Sequence, residues 1–190
     1  ATGGNLTIAG TLDLANAVTT ISANTTLDAG YVIRSGTGSF AGTATSSLTV
    51  RGTSTIYFQS ANDILKNLSI LGGTTTLGTS LNIAAGSFPG TVTLNDGSLN
   101  TGNNLVLKSS ALGTARLGAL TGGATISGSV TIERYIPSAR GWRLLSVPIS
   151  SVAAPTINQA WQEGVTTASS NVNPNPGFGG FITGGTTPYG

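Results

Sequence analysis

The chain has 190 residues, enough for one large or two small domains, and 38% hydrophobic residues can fill a continuous core. Only 7% of residues are charged, against roughly 25% in an average soluble domain, and a net charge of +2 carried by 8 cations and 6 anions leaves five widely spaced cations in the first 130 residues. That spacing excludes a nucleic-acid binder, the absence of Cys excludes disulfides and thiolate metal sites, the absence of His excludes Ser-His-Asp chemistry, and no apolar run reaches the roughly 20 residues that span a bilayer.

In chain order, short alternating blocks recur: Asn5-Leu6-Thr7-Ile8, Ser47-Leu48-Thr49-Val50, Asn67-Leu68-Ser69-Ile70, Ser80-Leu81-Asn82-Ile83, Thr91-Val92-Thr93-Leu94 and Asn104-Leu105-Val106-Leu107. A period of two puts Leu, Val and Ile on one face and Thr, Ser or Asn on the other, as a half-buried strand requires. β-branched Thr favours the extended backbone as well. Between the blocks, Ala9-Gly10, Gly72-Gly73, Asn95-Asp96-Gly97, Thr101-Gly102-Asn103 and Thr121-Gly122-Gly123 read as turns that end strands, since Gly and Asn take positive φ at little cost. From about residue 66 to 132 the block starts lie roughly ten to thirteen residues apart, and before residue 150 no helical pattern exceeds a turn or two.

A β-sandwich and a parallel β-solenoid both suit such a ladder of strands. The mutual likeness of the blocks favours the solenoid, in which like residues stack over like. The expected fold is therefore all-β, a parallel β-helix-like solenoid over residues 1–132, with Leu6, Ile8, Leu48, Val50, Leu68, Ile70, Leu81, Ile83, Val92, Leu94, Leu105 and Leu107 lining its core. At about 20 residues a coil and about 4.8 Å between coils, this region makes some six coils and a rod of roughly 30 Å. The 28 Gly of the whole chain and its many Thr, Ser and Asn give a neutral, hydroxyl-rich surface without the charge repulsion that keeps domains apart, so self-association is expected.

At Glu133 the repeat stops and ERYIPSARGWRLLSVP follows; both Trp, all but one of the Pro residues and three of the eight cations fall between 133 and 190. This reads as a second, β-rich module over 133–190, partial and β-sandwich-like. The segments ERYIPSARGWRLLSVPI, INQAWQEG and NPNPGFGGFITGG resemble a module of large secreted repeat proteins of Bacteroidetes, whose upstream runs of Asn-Leu-Thr-Ile type are similar too. The resemblance implies export, usually by a type IX route, to the cell surface or the extracellular space, and an adhesin-like or structural role. The sorting domain typical of that family and the downstream half of the module are missing. With no Met in the chain, Ala1 reads as a processed start, any signal peptide already removed.

Candidate chemistry is sparse. The acids of the repeat are Asp13, Asp28, Asp63 and Asp96; Asp96 in Asn-Asp-Gly reads as a turn former, and Asp13 and Asp28 as residues beside strand ends. No nucleophile-base or metal constellation is legible, so no enzyme and no cofactor are expected. Gly177-Phe178-Gly179-Gly180 and Gly184-Gly185 lack the Lys and the strand-to-helix setting of a phosphate loop and read as turns. Trp142 and Trp161 are candidates for stacking on sugar rings, against burial among Leu144, Leu145, Ile157 and Ala160. Glu133 and Arg134, with Arg140 and Arg143 close behind, form a candidate ion pair at the junction. The Asn5, Asn24 and Asn67 triplets match the glycosylation pattern, by coincidence if the source is bacterial.

The expected function is thus an extracellular or cell-surface structural or adhesin-like protein whose partners are copies of itself through a segment containing Ala1, Leu6 and Ile8, assembling end to end into filaments. The alternative is a carbohydrate-binding module or a carbohydrate-active β-helix enzyme. The first makes surface glycans partners.

Overall fold

Alternation gives most of the short strands one apolar side, and in the computed structural model, which describes residues 4–136, these sides face one interior. The described residues belong to the first of two units, Ala1–Ser138 and Ala139–Gly190. All regular structure among them is β, in six stacked coils. The first coil carries β1 (Asn5–Asp13) and β2 (Val18–Thr20), the second β3 (Thr26–Ile33) and β4 (Ser39–Ala41). The third carries β5 (Ser47–Val50), β6 (Ser54–Ile56) and β7 (Ile64–Leu65), and the fourth β8 (Asn67–Ile70), β9 (Gly73–Leu77) and β10 (Leu81–Ile83). The fifth has β11 (Thr91–Asn95), β12 (Gly97–Asn100) and β13 (Leu105–Leu107), followed by a small antiparallel pair, β14 (Ser109–Ser110) and β15 (Gly113–Thr114). The sixth has β16 (Arg116–Thr121), β17 (Thr125–Ser127) and β18 (Val130–Ile132).

Strands of successive coils pair in parallel, giving a six-stranded face β1-β3-β5-β8-β11-β16, a four-stranded face β6-β9-β12-β17 and a four-stranded face β7-β10-β13-β18. Register runs from Asn5 to Thr26, Ser47, Asn67, Thr91 and Arg116, steps of 21, 21, 20, 24 and 25 residues. The solenoid of about six coils anticipated from the sequence is therefore the fold. All six alternating blocks form strands, on the first and third faces.

The second face departs from the sequence reading. Gly73 and Gly97, taken as turn residues that end strands, are the first residues of β9 and β12. The corners are short, Leu71 and Gly72 between β8 and β9 and a single residue between β11 and β12, where Asp96 at φ 60° makes the turn, as its Asn-Asp-Gly setting predicted. The ten-to-thirteen-residue spacing is accordingly the step between faces, and a full coil is about twice that.

Like residues stack inward. Leu27, Leu48, Leu68 and Val92 form one rank, and Ala29, Val50, Ile70 and Leu94 its neighbour, all at most 5% exposed. Leu6 and Ile8 begin these ranks, and Leu117 and Leu120 continue them beyond Val92 and Leu94. Leu6, expected in the core, is instead 62% exposed, and Ile8 is only partly buried, because no coil among the described residues lies beyond β1. The other ten expected core residues are buried. Phe40 of the second coil and Phe58 of the third add a tilted aromatic pair to the core, ring centroids 5.7 Å apart.

On the second face Ser54 and Thr75 occupy inward positions beside Leu99. Ser54 is satisfied, its hydroxyl accepting the Val32 amide at 2.8 Å and donating to the Gly52 carbonyl at 3.0 Å. The Thr75 hydroxyl is buried with no hydrogen-bond partner. Thr75→Val, which removes an unpaired polar group at nearly constant volume, is expected to stabilise the solenoid by about 1 kcal/mol and raise Tm by a few degrees. A fall in Tm on thermal melting would show that the hydroxyl has a partner after all.

Candidate functional site

Charged side chains in so neutral a chain are the first places to look for chemistry, and most of those in the solenoid hold the fold together. Asp13, the last residue of β1, accepts the Ala15 amide at 2.8 Å and the Ser35 amide at 3.0 Å, tying the corner of the first coil to that of the second. The Ser35 hydroxyl and these two amides hold its carboxyl below the usual value. Asp28 lies inside β3, not beside a strand end as expected from the sequence, and points outward because its neighbours Leu27 and Ala29 point in. Arg51, one coil on, grips it with two hydrogen bonds of 2.8 and 2.7 Å, a bidentate pair that bridges coils and raises the guanidinium pKa.

Glu133 takes its partner from the preceding coil: Lys108 donates to its carboxylate and the Ser109 amide adds a bond of 3.2 Å. Burial raises the Glu133 carboxyl pKa, but the Lys108 and Ser109 bonds outweigh it and leave the group below its ordinary value. Arg134 donates to the Glu133 carbonyl at 3.0 Å, so the ion pair here is Lys108–Glu133. Together with the Glu133 amide on the Leu107 carbonyl and the Tyr135 amide on the Ser109 hydroxyl, it fastens residues 133–135 to the solenoid. Arg140 and Arg143 lie outside the described residues.

Among the described residues two depressions stand out. One, of about 280 Å³, opens at the first coil among Leu6, Thr19, Ile21, Thr25 and Leu27. Beside it β1 and β2 each have a neighbouring strand on one side only, β3 and β4. Of the candidate assembly residues, Leu6 and Ile8 therefore sit on this edge, and Ala1 lies outside the described residues. The other depression, of about 310 Å³, lies on the second face between Ile33 and Arg34 of one coil and Thr53, Thr55 and Tyr57 of the next. The Arg34 guanidinium stacks on the Tyr57 ring, 4.0 Å from its centroid. The candidate glycan contacts Trp142 and Trp161, and the glycine-rich runs near 177–185, fall outside the described residues.

No group of three or more metal-ligating side chains occurs among the described residues, and no described helix is long and apolar enough to cross a membrane. Sequence reasoning missed Arg34 and Tyr57, which are 23 positions apart and meet only because a coil is about that long. The chain matches no family model, and comparison with curated proteins and with solved structures finds no significant similarity.

Proposed function

We propose that the chain is a non-catalytic, extracellular or cell-surface structural element, adhesin-like in character, that assembles end to end. The observation that carries this reading is the exposure of the core ranks at both limits of the ladder. Leu6 is 62% exposed at one limit, and Leu117 and Leu120 are 41% and 46% exposed at the other, whereas the ranks between are closed to solvent. Edge strands β1 and β16 each lack a partner on their outer side among the described residues, and unpaired N–H and C=O groups beside apolar side chains are a template for strand addition. The contact would join unlike ends by translation along the stack, so it propagates instead of closing. The low charge of the chain offers little repulsion against it. The ties of Asp13, Asp28 and Glu133 to neighbouring coils support structural roles for these acids.

Light scattering and electron microscopy of the purified chain test the reading. The wild-type chain is expected to form concentration-dependent rods, and Leu6→Lys combined with Val18→Lys, both at exposed edge positions, to give monomers with unchanged melting. Monodisperse wild-type monomers at high concentration would sink it.

A further inference from the structure

We infer that the depression between the second and third coils is a binding subsite for a carboxylate-bearing sugar, a uronate unit of an acidic polysaccharide. The inference is independent of assembly and concerns residues not considered for glycan contact from the sequence.

Arg34 is the starting point. Among the described residues Arg51 and Lys108 have carboxylate partners and Arg34 has none. Its Nε is buried without any hydrogen-bond acceptor. An Arg fork left unmatched by the chain, beside a cavity, is a site waiting for a planar acceptor, and a carboxylate matches it bidentately. The fork is also held in place. Its plane rests against Tyr57, and that ring in turn lies over Gly78 of the next coil so closely that any Cβ there would strike it. Little rotamer freedom is left to lose on binding.

The rest of the lining suits a sugar. Thr55 brings a hydroxyl group to one wall, and the Thr53 hydroxyl, whose oxygen accepts the Thr74 amide at 3.3 Å, keeps its proton to donate, whereas the Ser54 hydroxyl is already consumed by Val32 and Gly52. Ile33, 47% exposed, offers an apolar surface at the opposite wall, and Tyr31, 52% exposed, lies two residues before it on the same side of β3. A pyranose presents both hydroxyl edges and an apolar C–H face, and a uronate adds the carboxylate. A cavity of about 310 Å³ stands at the lower end of the range for small-ligand sites, about 300–1,000 Å³, which fits one ring of a longer polymer. One cation favours a singly charged carboxylate over a phosphate or sulfate cluster, which draws several.

The test uses the full chain, with trigalacturonate, fully methyl-esterified trigalacturonate and sodium acetate as probes in calorimetric titration, and the Arg34 Nε–H resonance followed by NMR. Trigalacturonate is expected to bind and shift that resonance, and both the ester and acetate to bind at least about tenfold more weakly. Arg34→Gln and Arg34→Lys should each weaken trigalacturonate binding by about tenfold or more, the second because an ammonium keeps the charge without the fork. Arg116→Gln, on the first face, should leave it unchanged. Circular dichroism checks that each variant is folded, and Tyr57→Leu serves as a second probe if an Arg34 variant is not. Absence of binding overturns the inference. So does equal binding of the ester, which removes the carboxylate from recognition, or of acetate, which reduces the site to a general anion contact. An equal loss in Arg116→Gln, which would mark diffuse electrostatics, also overturns it.

Discussion

Leu81→Asp is expected to abolish cooperative melting of the solenoid near the wild-type Tm. Leu81 is wholly buried in β10, in register with Leu105 of the next coil. Removing the leucine forfeits its transfer energy and leaves a cavity, about 2–5 kcal/mol by analogy with truncation to alanine. A carboxylate in its place has no cation beside it among the core residues, and burying an unpaired charge costs several kcal/mol more. The sum rivals the whole stability of a typical domain, about 5–15 kcal/mol. Leu6→Asp is the matched control: the same substitution, also at an inward position of its coil, but at a residue 62% exposed, should change stability by less than about 1 kcal/mol. Unchanged melting of Leu81→Asp would refute the burial pattern of the third face.

Gly90→Ala should destabilise by about 3 kcal/mol, an unusually large effect for one methyl group. A Cβ at Gly90 would fall on the Lys66 carbonyl oxygen and come within 2.7 Å of Ile83 Cγ2. The backbone has no room to yield. The Gly90 amide donates to the Ala84 carbonyl at 2.8 Å, the Gly90 carbonyl accepts the Arg116 amide at 3.0 Å, and the Thr91 amide donates to that same Lys66 carbonyl at 3.1 Å. Three coils meet at this point, so relief of the clash breaks the ladder that begins β11. Gly10→Ala, with nothing within 4 Å of the added atom, should be close to neutral. Urea midpoints of the two variants decide: near-equal values would mean that the coil spacing does not depend on glycine at the corner.

How much of this was legible depends on which side of a strand carries the signal. Blocks such as Asn67-Leu68-Ser69-Ile70 announce themselves because polar and apolar residues alternate, and all six became strands. β9 and β12 did not, since Gly73 and Gly97 open them and Thr75 stands at an inward position where the pattern calls for an apolar side chain. A rule that equates Gly with a turn splits a coil into two where the fold has three faces. Leu6 shows the opposite failure: its alternation is faultless, but burial requires a coil on each side, and periodicity within a strand carries no information about stacking order. Similarly, the Asp28–Arg51 and Lys108–Glu133 pairs and the Arg34–Tyr57 stack depend on coil length. That length becomes countable only when registers such as Thr26 to Ser47 and Asn67 to Thr91 are known.

The inter-coil ladder also sets how the element would respond to tension. Its hydrogen bonds run from coil to coil, along the stack, so a pull on the two limits of the rod loads each rung end-on and opens the outermost first. A released coil of 21 residues yields about 70 Å of extended chain, against about 4.8 Å of rod lost. Under load such an element lengthens in steps, giving way one loop at a time, and behaves as a stitched cord more than as a strut.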